Sequence, residues 1–172
     1  MNTAKKIDMR HPFMDSAVIL NLANGINTTL KTMTDLVATF DKPYVGANWK
    51  SPTEFSVILE LSVDPFKGIL FFHFDKSVAQ SIIEKLTGSA IDSSNNTEIL
   101  DGIGEVSNMF YGTAKTKLNE SGFKLKMSVP KPCLTKDLPE SVGDFKNMII
   151  PFKILSKNCF VEIVVFLNDE IA

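Results

Sequence analysis

Glu105 and Asn108 are the residues of this chain whose types and spacing best suit chemistry. On a helix, side chains three apart are neighbours on one face. A carboxylate can pair with a cation, and an amide can accept a hydrogen bond from water while donating elsewhere. The segment Asp101–Leu118 has helical periodicity. Ile103, Val106, Phe110 and Ala114, with Ile99 just before them, form an apolar stripe on the other side from the pair. Gly112 follows Asn108 by one turn on the polar face. The outer face thus carries an acid, an amide and a glycine, where a merely solvated helix would present long charges. A solvated surface and a receptive surface are both open readings of these residues.

The elements that must hold this helix belong to a chain of 172 residues, enough for a single domain with a sizeable core. Its 44% apolar and 22% charged residues are a globular mix. A net charge of −2 gives no basic footprint and argues against a nucleic-acid partner. No apolar run approaches the roughly 20 residues of a membrane span. The first eight residues lack the apolar core of a signal peptide, so a cytoplasmic location is expected. Cys133 and Cys159 form no CxxC motif and read as free, buried thiols. His11 and His73 stand alone, and His73 in a strand-like run reads as a satisfied core or edge histidine. No cluster has metal-ligand spacing, no glycine-rich phosphate loop follows a strand, and no GxSxG marks a nucleophile. No cofactor of the chain's own is expected.

Along the chain, Ile19, Leu22, Ile26, Leu30, Met33 and Val37 predict a first helix from about Asp15 to Thr39, stopped at Asp41-Lys-Pro43. A weak strand is expected near Tyr44–Trp49. Phe55–Ser62 alternates, with Phe55, Val57, Leu59 and Leu61 on one side and Ser56 and Glu60 on the other. Asp64–Gly68 reads as a turn, and Gly68–Phe74 as the second arm of a hairpin. Lys76–Leu86 is a short amphipathic helix ended by Gly88, and Ser89–Asn96 a polar loop. Asn95, Asn96 and Thr97 are cap candidates for the Glu105 helix, which runs to about Ser121 and stops at Gly122. Alternation predicts a strand over Phe123–Val129, broken by Pro130 and Pro132, then a polar loop over Thr135–Asp144. Asn147–Leu155 and Cys159–Leu167 read as a closing hairpin around Ser156-Lys-Asn158. The last strand is apolar on both faces, which suggests a central position.

Helix and hairpin occur twice. Asn21–Thr32 aligns without gaps on Glu105–Thr116, placing Asn24 on Asn108, Leu22 on Val106, Ile26 on Phe110 and Lys31 on Lys115. The hairpins match over Phe55–Asp75 and Met148–Asn168. The halves, 10–88 and 96–168, predict a pseudo-symmetric α/β (α+β) two-layer sandwich within one domain spanning 1–172. Two long helices pack on one antiparallel sheet. Chance similarity of two amphipathic helices is the competing explanation. The halves differ where Asn21 replaces Glu105.

Glu105-x-x-Asn108, then Gly112-x-Ala114, Lys117-Leu118 and Phe123–Pro130, resembles the CheC/CheX/FliY chemotaxis phosphatases, with a layout most similar to CheX. The resemblance covers about residues 10–168 and implies the CheC/CheX-like sandwich. It implies a phosphatase acting on a phospho-aspartyl CheY-like response regulator, which brings its own Mg²⁺ and lysine. Asn108 would orient the attacking water and Glu105 would pair with the lysine. Asp101 and Gly112 would touch the partner; Gly112 either allows its close approach or eases packing within the fold. Asn21 and Asn24 would be a vestigial site. A homodimer joined through sheet edges is also implied, with Phe123–Val129 as a candidate edge strand. The alternatives are a non-catalytic regulator-binding adaptor and a dimerisation module of the same fold.

Overall fold

The computed structural model describes residues 11–126, 128–140 and 145–166. Three helices, α1 (Ser16–Met33), α2 (Lys76–Thr87) and α3 (Asn96–Glu120), lie against a seven-stranded antiparallel sheet. The strands are β1 (Thr39–Phe40), β2 (Tyr44–Gly46), β3 (Phe55–Val63), β4 (Phe66–Phe74), β5 (Lys131–Leu134), β6 (Phe145–Ile154) and β7 (Lys157–Phe166). Their order is β1-β6-β7-β4-β3-β5, with β2 also paired to β6. This is the two-layer, pseudo-symmetric sandwich expected from the repeat.

Each helix begins where a polar side chain satisfies its free N–H groups. Asp15 accepts from the Ala17 N–H at 2.7 Å, Asp75 from the N–H groups of Ser77 and Val78, and Asn95 from that of Glu98. Gly88 closes α2 in the left-handed conformation, at φ 69°. One face of the sheet supplies the core: Val57 and Leu59 of β3, Leu70 and Phe72 of β4, and Val161 and Ile163 of β7 are buried beneath the helices. Phe72 meets Phe110 of α3 edge-on, with ring centres 5.6 Å apart. The hairpins β3–β4 and β6–β7 join along β4 and β7, where Leu70 pairs with Ile163. Above that seam, Thr29 of α1 and Thr113 of α3 share a hydroxyl hydrogen bond at 3.4 Å. In the repeat alignment both pairs are equivalent positions, so each residue touches its own counterpart, as it would beside a pseudo-two-fold axis.

Two expectations from periodicity fail. The first helix ends at Met33 and not at Thr39. Thr34 Oγ1 turns back to donate to the Leu30 carbonyl at 2.7 Å, and Asp35 takes φ 60°. Asn27 then holds Ala38 by both its N–H and its carbonyl, so the chain doubles back along α1 and enters β1. Val37, which continued the apolar spacing, is 63% exposed, and Leu36 is buried in its place. The second failure is Phe123–Val129, whose described residues, 123–126 and 128–129, form no strand. Lys124 adopts φ 55°, and the Asn119 side chain brackets Leu125, accepting from its N–H at 2.6 Å and donating to its carbonyl at 3.2 Å. These local bonds take up both backbone groups of Leu125, while the Lys126 N–H reaches the Ser62 carbonyl of β3 at 3.2 Å and Ser128 Oγ accepts the Glu60 N–H at 2.8 Å. Met127 lies outside the described residues. The strand forms instead at Lys131–Leu134, across Pro132, because β5 pairs with β3 alone and an edge strand tolerates a missing N–H.

The closing hairpin turns at Leu155–Ser156, both at positive φ, one step earlier than the predicted Ser156-Lys-Asn158 loop. The first hairpin turns at Asp64–Pro65, so β4 begins at Phe66. Leu167 and residues 141–144 of the predicted loop lie outside the described residues.

Burial of two acidic protons gives the fold a pH limit. Burial pushes both Tyr111 and Cys159 up to about 12. In the unfolded chain these groups ionise near 10.0 and 9.0, so above about pH 9 the unfolded state loses protons that the folded state keeps. The contribution of these two groups is therefore full below pH 9 and falls as pH rises towards 12. The Tyr111 hydroxyl donates to the Lys126 carbonyl at 2.9 Å, which ties α3 to the chain that follows it. Tyr111→Phe is expected to cost about 1 kcal/mol near neutrality. It should also make the alkaline loss shallower above pH 10, as read by denaturant unfolding across a pH series.

Candidate functional site

Helix α3 sets the site by dividing its circumference. Ile99, Ile103, Val106, Phe110 and Ala114 are buried against the sheet and α1. Gly104 packs on Pro132, and Tyr111 reaches Lys126; Ser107 shares their stripe at helical spacing. Ser107 is fully buried, and its hydroxyl has no hydrogen-bond partner among the described residues. These inward and flanking contacts leave Asp101, Glu105 and Asn108 exposed, with Gly112 half-buried beyond them.

Among the described residues, the side chains of Asp101, Glu105 and Asn108 have neither a hydrogen-bond nor an ion-pair partner. Their polar capacity is unspent within the fold. A carboxylate and an amide one turn apart can therefore both engage a group brought from outside. A methyl placed on Gly112 would meet nothing within 4 Å, so the surface there is open.

Helix α1 places its counterpart pair differently. Asn24 is exposed, but Asn21 is half-buried and donates from Nδ2 to the Ala17 carbonyl of its own helix at 2.8 Å. Position 21 thus carries no charge and its amide is already engaged. The helices meet closely at Gly25, whose added Cβ would lie 2.7 Å from the Phe110 carbonyl oxygen.

No group of three or more His, Cys, Asp or Glu is placed to hold a metal among the described residues. No helix among them is long and apolar enough to cross a membrane. Cys159 is buried and Cys133 half-buried, both as free thiols. A cleft beside the start of α3, bordered by Lys76, Asn96 and Lys136, contains none of the candidate residues.

Sequence reasoning missed a second polar constellation on the sheet face away from the helices. His73 Nδ1 lies 2.7 Å from Ser56 Oγ, and its Nε2 lies 3.0 Å from Glu162 Oε2. Thr135 Oγ1 extends the chain beyond Ser56 at 2.7 Å, and Asn147 donates to Glu162 Oε1 at 2.6 Å. Trp49 covers His73 edge-on and Phe71 stacks on it. Ser56 and His73 are fully buried, so this is a satisfied interior network and not an accessible nucleophile. The sequence signal was His73 in an apolar run, which read as a satisfied core or edge histidine, but its partners Ser56 and Glu162 were not identified.

The family model of the chemotaxis phosphatase CheX matches residues 55–153, which include the whole of α3. No curated protein matches the chain by sequence. Among solved structures, the chemotaxis protein CheX of Vibrio vulnificus is 26% identical, with a TM-score of 0.77 over 88% of this chain and 100% of that one. A CheC-like superfamily protein from Shewanella sp. PV-4 superposes with a TM-score of 0.77 at 23% identity, covering 89% of this chain and 99% of its own. The CheX of a CheX–CheY–BeF3–Mg²⁺ complex from Borrelia burgdorferi shares the fold at 21% identity and a TM-score of 0.67, over 88% of this chain and 98% of that one. With the family model covering more than half of its length and the same sandwich recurring in these structures, the chain belongs to the CheX family of chemotaxis phosphatases.

Proposed function

We propose that this protein hydrolyses the aspartyl phosphate of a CheY-like response regulator, with Asn108 orienting the attacking water. The observation that carries the reading is the pair Glu105 and Asn108, exposed and unpartnered on one face of a helix inside the segment that matches CheX. The CheX–CheY complex from Borrelia burgdorferi supports the class of partner.

The reaction asks little of the phosphatase. Water oxygen bonds to phosphorus, the bond from phosphorus to the aspartyl oxygen breaks, and carboxylate and inorganic phosphate are released, with a water proton passing to the phosphate. Such a transfer depends on an in-line nucleophile and on stabilised charge at the equatorial oxygens. The regulator supplies Mg²⁺ and its active-site lysine for the charge. Asn108 accepts a hydrogen bond from the water and holds it in line, as glutamine does in small GTPases. Glu105 pairs with the lysine and fixes the approach. Asp101 and Gly112 border the contact, and Asn21 and Asn24 form a vestigial copy.

The wider reading is one domain, 1–172, built of half-repeats 10–88 and 96–168, acting beside its regulator in the cytoplasm. A homodimer would form through a sheet edge. The described residues of the predicted edge, 123–126 and 128–129, form no strand, and the edges among the described residues are β5 on one side and β1 with β2 on the other. On the latter, Tyr44 and Val45 are 42% and 58% exposed.

The test is the phosphate lifetime of CheY-like regulators with Mg²⁺, with and without the protein. Shortening by catalytic amounts is expected for the cognate regulator. Binding with an unchanged lifetime would make the protein an adaptor.

A further inference from the structure

Four glycines lie inside the helices: Gly25 in α1, and Gly102, Gly104 and Gly112 in α3. A glycine there weakens a helix relative to alanine, so each calls for a compensating contact. Three have one within the fold. An added Cβ would lie 2.7 Å from the Phe110 carbonyl oxygen at Gly25, 2.6 Å from Ile83 Cδ1 at Gly102, and 3.3 Å from Pro132 Cγ at Gly104. At Gly112 it would meet nothing within 4 Å.

Gly112 also sits in register with the polar pair. At about 100° per residue, it lies roughly 20° around the helix from Glu105 and about 10 Å further along. Asn108 stands between them. The bare stretch of backbone is therefore on the face that carries the unpartnered carboxylate and amide. A partner side chain could settle beside alanine as readily as beside glycine. What needs the missing Cβ is a second main chain drawn close to the first. Covering the backbone here strands no polar group, because the Gly112 carbonyl, in the middle of α3, accepts the N–H of Thr116 within the helix, and Thr116 Oγ1 adds a bond at 3.0 Å.

We propose that Gly112 is where the main chain of the docked regulator rests on α3, so that the regulator lies over the helix from Glu105 towards Lys115. This rests on the function proposed above. Gly112 is then a positioning residue: it sets how deeply the regulator seats and so how well Asn108 meets the phosphoryl group.

The probe is the regulator whose phosphate lifetime the wild-type protein shortens, held active with BeF3 and Mg²⁺. Gly112→Ala should raise Tm by about 2 °C, since a helix gains from alanine where its Cβ meets nothing, and should already weaken Kd, since a single methyl holds a second main chain off. Gly112→Leu should keep Tm at or above the wild-type value and weaken Kd at least tenfold, while Lys85→Leu on α2 leaves Kd unchanged. A weakening of less than tenfold in Gly112→Leu, or a fall in Tm for Gly112→Ala, overturns the proposal. Either result leaves the catalytic reading to be judged by Asn108→Ala. If wild-type protein shortens no regulator's phosphate lifetime, the functional reading itself has failed.

Discussion

Asn108→Ala is expected to slow regulator dephosphorylation about 100-fold, the scale of losing the alignment of one reacting group. That corresponds to about 2.7 kcal/mol of activation free energy. The fold should not register the change. The Asn108 side chain is exposed and has no partner among the described residues, so its removal leaves no cavity and no orphaned group. Thermal unfolding should therefore stay within about 0.5 kcal/mol of wild type, as for ordinary surface substitutions. Glu105→Ala should differ in kind. If the carboxylate holds the regulator's lysine, its loss appears first as weaker binding, so high protein concentration recovers part of the rate. For Asn108→Ala, the proposed mechanism predicts that saturation recovers nothing, because the step it assigns to the amide is the orientation of water. Stopped-flow phosphate decay across a concentration series separates the two. An Asn108→Ala variant with wild-type rate at saturation would remove the amide from the mechanism.

The site helix was legible because its information is local. Residues 95–114 carry the cap, the apolar stripe and the polar pair within a few turns, and helical spacing alone assigns them to faces. Helix α2 was legible for the same reason, with Asp75 at its start and Gly88 at its end. The C-terminal end of α1 and the edge strands β1 and β5 were not. Val37 continues the period of α1 in sequence, but the bonds from Asn27 to Ala38 join residues eleven apart, and no local pattern announces them. Phe123–Val129 alternates as a strand should, yet the Asn119 side chain takes up both backbone groups of Leu125. Pro132 signals a break only if its strand is assumed to pair on both sides. The openness of Gly112 is also invisible in sequence, where it looks no different from Gly102 and Gly104 until the neighbours of each are in place. The polar network around His73 depends on register. Positions 56, 73 and 162 meet only when β3, β4 and β7 pair as they do, and alternation does not give that offset.

That network carries the largest expected effect on stability. His73→Leu should destabilise the protein by about 3 kcal/mol, because removing one member of a buried hydrogen-bonded pair strands the other. Glu162 is the residue stranded. Its side chain is 10% exposed, and without His73 its remaining partner is Asn147 on Oε1. Ser56 also loses a partner, though Thr135 stays within reach at 2.7 Å. For a chain of 172 residues the loss corresponds to a fall in Tm of roughly 6–12 °C. The double variant His73→Leu/Glu162→Met should regain at least half of it, since apolar residues of similar volume replace buried pairs at little net cost. Trp49 and Phe71 already offer an apolar lining for that side of the sheet. Urea unfolding of the wild type, both single variants and the double gives the coupling between positions 73 and 162 directly. Equal destabilisation by His73→Leu and by the double variant would show that leucine at 73 fails through packing and not through an unpaired carboxylate. Because the network lies on the sheet face away from α3, the surviving folded fraction of each variant should dephosphorylate the regulator at the wild-type rate. The sheet's polar network and the α3 surface would then be separable, one holding the fold and the other doing the chemistry.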